Sequence, residues 1–272
     1  MLLTTHSRHV VDALSGSAKL MWVRKGAVTV TQQDDEIGIL LDIGALDVKE
    51  KAGVPNTKAV VLTEDEITGP LENVLQASGF SLASTAVLSY YGVTNLSQLR
   101  ALVKMIRSTN PKAKIVVHRD RDFLTDEEVE AWSVSVRKMT VDPFVTPARD
   151  IESFYLNAKF LHQLNPSVSV AAFEKMINET IEKKKTDLLS QYVNGRLDIT
   201  RKAGDQANAG AISAQGTQAI ATAPRMFCGK SILRALREQF QSTNSHNLVT
   251  NRPSPLLADE TLKPIAQKIF GA

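Results

Sequence analysis

The stretch Lys114–Glu128, KIVVHRDRDFLTDEE, restricts the fold more than any other. Ile115, Val116 and Val117 form an unbroken apolar run, the pattern of a strand buried on both faces of a parallel sheet. Asp120 and Asp122 follow where that strand should run out. Alternate strand residues point to one side, so the two carboxylates can converge. Thr125 with Glu128 three residues on reads as a capping box that opens the next helix. A strand, an Asp-x-Asp and a capped helix describe the carboxyl end of a parallel strand, where open α/β sheets bind ligands. Two adjacent acids repel unless a proton or a cation offsets them. A hard divalent ion, Mg²⁺ or Mn²⁺, suits oxygen ligands best. The plainer alternative is a solvated turn carrying two ordinary acids.

The surrounding pattern is regular. Ala59–Leu62 is a buried strand ending at Thr63-Glu64-Asp65-Glu66. Gly69-Pro70 starts a helix, with proline at a first-turn position that tolerates it, and Gly79 stops it. Thr85–Tyr90 is a second strand. Asn95 with Gln98 caps a helix that runs to about Ile106 and ends at Asn110-Pro111. Val129, Trp132 and Val136 share a face of the helix from Asp126. Strands alternating with helices predict βαβ units, a parallel sheet and right-handed crossovers. Asp142–Leu156 reads as a strand and turn leading into a helix. Val170–Val193 reads as one helix, with Phe173, Met176, Ile177, Ile181, Leu188 and Tyr192 on its apolar face. Its Lys183-Lys184-Lys185 run reads as a solvated face. Ala203–Pro224, rich in Ala, Gly and Gln, reads as a mobile loop or weak helix. Arg225–Phe240 is a turn and helix, and a short helix closes the chain. At the start, residues 1–14 suggest a strand, a polar turn and a helix, and Lys19–Val30 suggests a hairpin.

Composition narrows the function classes. The 272 residues carry one cysteine, Cys228, which excludes an intrachain disulfide framework and suits a reducing cytoplasm. No run approaches the roughly 20 apolar residues of a membrane span. A net charge of +3 permits nucleic-acid binding without arguing strongly for it. No His/Cys grouping has zinc spacing. Gly229-Lys230-Ser231 ends like a Walker A motif, but position 224 is proline where that motif needs glycine, so a P-loop is excluded.

In a parallel sheet the strand ends share one edge, so Glu64, Asp120 and Asp122 can meet despite their separation. The Glu after one strand (VVLTEDE) and the Asp-x-Asp after a later one (VVHRDRD) resemble a TOPRIM domain, the metal-binding fold of topoisomerases, primases and OLD-family nucleases. RDIESFYL (Arg149–Leu156) and FCGKSIL (Phe227–Leu233) resemble later segments of the version fused to OLD-like ABC ATPases. LLTTHSRHVVDAL resembles the switch-histidine strand and helix of such an ATPase, with His6 in the switch position.

The resemblance implies an α/β, TOPRIM-type (Rossmann-like) parallel sheet flanked by helices, with a helical insertion and a short ATPase-derived N-terminal remnant. It divides the chain into an ATPase tail (1–35), a linker (36–58), a TOPRIM core (59–165), a helical insertion and mobile loop (166–224), and a C-terminal part of TOPRIM (225–272). It implies a Mg²⁺- or Mn²⁺-dependent endonuclease acting on nucleic acid, DNA foremost. Glu64, Asp120, Asp122 and Glu152 would hold the metal, with Asp150 the nearby alternative to Glu152. Lys230 would be a cation facing the scissile phosphate. An ATPase domain or subunit is the implied partner, a homodimer is possible, and no membrane is involved. Family members often follow the Glu with Gly and place another acid four residues on. This chain has Asp65 and Thr68 there, so Asp65 or Glu66 would substitute. His118 is expected as a polar residue at a strand end. No tyrosine stands in a nucleophile context, Tyr155 and Tyr192 being helix-face residues, which argues against a topoisomerase. The alternative of another class is a metal-binding regulatory or assembly module that cleaves nothing.

Overall fold

The computed structural model describes residues 2–5, 10, 17–19, 21–24, 26–30, 52–90, 96–204, 206–244 and 246–271. His6, Asn95 and most of the linker expected over 36–58 lie outside the described residues. Near the start, β1 (Met21–Arg24) and β2 (Ala27–Val30) pair antiparallel, with Gly26 at φ 81° in the turn, as the hairpin pattern predicts.

The centre of the molecule is a four-stranded parallel sheet of β3 (Ala59–Thr63), β4 (Thr85–Ser89), β5 (Lys114–Arg119) and β6 (Asp142–Val145), in the order β4-β3-β5-β6. Three crossover helices connect the strands: α1 (Gly69–Ala77), α2 (Leu96–Thr109) and α3 (Asp126–Arg137). The capping box at Thr125 and Glu128 is formed, Thr125 accepting from the Glu128 backbone N–H and Glu128 from that of Thr125.

The strands are apolar on both faces, and their alternation divides the core in two. Val60, Leu62, Ile115 and Val117 face α2 and α3. Ala59, Val61 and Val116 face α1 and the helices that follow the sheet. The first crossover moves one way along the sheet with its helix on one face. The next two move the other way with theirs on the opposite face, as crossovers of a single hand require.

The second layer comprises α4 (Ala158–Leu164), α5 (Val170–Lys183), α6 (Lys185–Ala203), α7 (Ala209–Thr222), α8 (Lys230–Thr243) and α9 (Leu262–Phe270). Phe173, Ile177, Leu236 and Phe240 join this layer to the sheet, and Phe173 stacks on Phe240 at 6.0 Å.

One expectation changes and another narrows. The single helix expected over Val170–Val193 is two, broken at Lys184 (φ −98°, ψ 6°). The triple-lysine run has no apolar side chain to lose at a bend, and Lys184 and Lys185 pair with Asp187 and Glu182. Of the mobile loop or weak helix expected over Ala203–Pro224, the helix is what forms, as α7. Asn208 caps it by accepting from the Ala211 N–H, and its alanines favour helix. Gly216 lets it seat on α6, because a Cβ there would lie 2.4 Å from Tyr192.

Candidate metal centre

The switch in strand order lies between β3 and β5, because the chain leaves β3 for one neighbour and later returns to the other side. Ligands of doubly wound sheets sit outside the carboxyl ends of the strands at such a point. Glu64 follows β3, and Asp120 and Asp122 follow β5, so the three acids straddle it. Two of them are joined directly: the Asp120 N–H donates to Glu64 Oε1 at 2.7 Å. Asp120 Oδ1 in turn accepts from the Ile151 N–H at 3.0 Å, which draws in the turn after β6. The Asp122 N–H donates to the Arg149 carbonyl at 2.7 Å. Asp122 itself is left-handed (φ 51°), a conformation Asp tolerates better than most residues.

Asp150 and Glu152, neighbours after β6, do different work. Asp150 is buried, and both its carboxylate oxygens accept from the Lys230 N–H at 3.1 Å, fastening the start of α8. Gly229 is needed for that approach, since a Cβ there would come within 1.9 Å of the Asp150 carboxylate. Glu152 instead meets the Lys230 ammonium, Oε1 to Nζ, at 3.4 Å. Lys230 remains 67% exposed and so can reach an anion outside the cluster.

The electrostatics follow from burial first and from crowding second. Burial pushes the Asp120 carboxyl up to about 9, with the charges of Asp65, Asp150, Glu64 and Asp122 adding to the effect. Burial also raises Glu64, Asp65 and Asp122, and lifts Asp150 to about 6. For Lys230, burial works against the charge, but Glu152 and Asp65 outweigh it and hold the ammonium above its ordinary range. The site therefore holds more negative charge than its cations balance.

The donor set suits a hard cation. It consists of carboxylate oxygens, and two of these, Asp65 Oδ2 and Glu152 Oε2, are buried without a hydrogen-bond partner. Among the described residues, no three His, Cys, Asp or Glu side chains are arranged to hold an ion as they stand. Glu64, Asp120 and Asp150 each accept from a backbone N–H instead. Mg²⁺ or Mn²⁺ thus fits the chemistry of these residues.

The remaining expectations resolve individually. Of the two substitutes, Asp65 lies half-buried in the cluster, whereas Glu66 is exposed. His118 is the polar residue near the end of β5 that the pattern suggests. It is fully buried, with Nδ1 2.8 Å from Thr63 Oγ1 and Nε2 3.7 Å from Asp120 Oδ1. Burial lowers its pKa to about 3, so the imidazole is neutral. Tyr155 bonds Asn73 and the Pro70 carbonyl, and Cys228 is buried with its thiol donating to the Pro224 carbonyl.

Sequence reasoning missed the wall beside the Asp-x-Asp turn. Phe123 sits under the Arg149 guanidinium at 4.8 Å and against Tyr192 at 5.8 Å. Arg196 of α6 donates to the Phe123 carbonyl at 3.1 Å. Gly195 gives Phe123 its room, and a glycine inside a helical run was the one available signal. No described helix is long and apolar enough to cross a membrane. Compared with family models, curated proteins and solved structures, the chain matches none, so its functional reading rests on the site's own geometry.

Proposed function

We propose that this chain is a TOPRIM-type nuclease module that hydrolyses phosphodiesters of DNA with Mg²⁺ or Mn²⁺, acting beside an OLD-like ATPase. The observation that carries the reading is the 2.7 Å bond from the Asp120 N–H to Glu64, which joins acids from two strand ends across the switch point of the sheet. In this reading Glu64, Asp120 and Asp122 hold the ion, with Glu152 beside them. The ion supplies positive charge that offsets the carboxylates and polarises a phosphoryl oxygen.

The chain's own residues contribute the rest. Lys230, held by Asp150 at its backbone and by Glu152 at its ammonium, presents a cation to the leaving oxygen. Arg149 stacks on Phe123 and fixes the turn that carries Asp122. The neutral His118, hydrogen-bonded to Thr63, keeps the end of β5 in line with β3.

Supercoiled plasmid incubated with the chain and Mn²⁺ should be nicked, and Asp120→Ala or Asp122→Ala should abolish nicking. The same variants should lose the rise in melting temperature that Mn²⁺ gives the wild type by binding the folded state. Asp126→Ala, on the exposed first turn of α3, should change neither. Nicking by Asp120→Ala at the wild-type rate would sink the reading. Metal binding without nicking would replace it with that of a regulatory module.

A further inference from the structure

The strands that end at the acids begin at lysines. Lys58 precedes β3 and Lys114 opens β5, side by side, the Lys114 N–H donating to the Lys58 carbonyl at 2.9 Å. With Lys112 and Lys268 they line a cavity of about 500 Å³ at this opposite edge of the sheet. Lys112, Lys114 and Lys268 also line an adjoining cavity of about 390 Å³, together with Arg107 and Arg137. Asp142 is its one acidic lining residue among those described.

Four exposed lysines on one concave surface repel one another. Some surface lysines elsewhere find carboxylates, such as Lys175 with Glu179 and Lys263 with Glu260, while others, such as Lys104, Lys159 and Lys183, stand apart; what distinguishes this group is that four share one concavity. Among the described residues Lys58, Lys112, Lys114 and Lys268 have no carboxylate within ion-pair distance. The walls are braced. Asn110 donates to the Ala52 and Thr57 carbonyls at 3.2 and 3.0 Å, and Arg107 to those of Met139 and Thr140 at 2.8 and 2.9 Å. Like charges lining a concavity focus a positive potential outward.

We infer that this trough is a second binding site, one that holds the phosphodiester backbone of a nucleic acid away from the acids. The cations run through two joined cavities rather than closing on one point, which suits a chain of evenly spaced phosphates. At about 3.3 Å per residue the strands separate trough from acids by roughly 20 Å, so the segment held is distant from any cleaved bond. The choice of nucleic acid over another polyanion rests on the nuclease reading; the presence of an anion site does not.

Anisotropy of a labelled duplex of about two helical turns, in EDTA, tests this. Lys112→Gln/Lys114→Gln/Lys268→Gln should weaken binding at least about tenfold and lower the slope of log K against log salt by about 2–3. Lys183→Gln/Lys184→Gln/Lys185→Gln makes the same change in net charge and should leave both near wild type. Should the first triple variant unfold on a melting curve, Lys268→Gln alone should still lower the slope by about 1. Equal weakening by both triples, or none by the first, overturns the proposal. So does inorganic triphosphate that displaces the duplex phosphate for phosphate, which would mark a small-anion pocket. Asp120→Ala should bind as wild type. A chain that binds through the trough yet never nicks plasmid would refute the nuclease reading and leave this one standing.

Discussion

Asp120 and His118, two residues apart on β5, titrate in opposite senses, and together they shape how stability depends on pH. The folded protein holds the Asp120 proton up to about 9, against an ordinary 3.8, so this group costs stability as pH rises between those values. His118 is neutral down to about 3 when folded but titrates at 6.5 when unfolded, so it costs stability as pH falls below 6.5. Over much of the acid range the two oppose each other. Between pH 6.5 and 9 Asp120 acts without that opposition, and Asp150, raised to about 6, has already ionised. In EDTA, melting temperature should therefore decline from pH 6.5 to 9, and Asp120→Asn should flatten the decline; an unchanged slope would contradict the burial of that carboxyl. Lys230→Ala should lower nicking by roughly 100-fold, the scale of losing one stabilising donor, while calorimetric Mn²⁺ binding stays near wild type. Gly229→Ala, which drives a methyl group into the Asp150 carboxylate, should cost about 1–3 kcal/mol in a urea titration. The strand-end acids were legible because a buried strand announces where it stops. Asp150 and Glu152 could not be told apart, because what separates them is the start of α8, some 80 residues away.

Each sheet element could be read from a local pattern, because a strand buried on both faces and a helix with a cap and a stop carry their own punctuation. The helices beyond the sheet could not. The break at Lys184 follows from where α6 must go, over Phe123 and the Asp-x-Asp turn, and nothing in the lysine run encodes that destination. The region around α7 showed its alanines and glycines, but whether Gly216 breaks a helix or seats one depends on Tyr192. Phe123 is the hinge pin of this arrangement. Phe123→Ala should cost about 3 kcal/mol of stability and expose α6 amides to hydrogen exchange more than those of β3. Equal protection in both elements would show that α6 is held by other contacts.

On the scale of the molecule, one sheet offers carboxylates at one edge and ammonium groups at the other, so a polyanion meets attraction on one side and repulsion on the other. Among the residues described there is no phosphate-binding loop, and the purified chain should turn over no ATP; turnover that survived Lys230→Ala would contradict this. The acid cluster is closed by hydrogen bonds spanning 56, 31 and 80 residues, from Glu64 to Asp120, Asp120 to Ile151 and Asp150 to Lys230. Contacts that distant form late, after the loops between them have closed. During synthesis, which proceeds from the N-terminus, the cluster cannot be completed until Lys230 has left the ribosome. A growing chain, or one cut short before α8, lacks the Lys230 N–H that holds the Asp150 carboxylate, so its cluster stays open on that side.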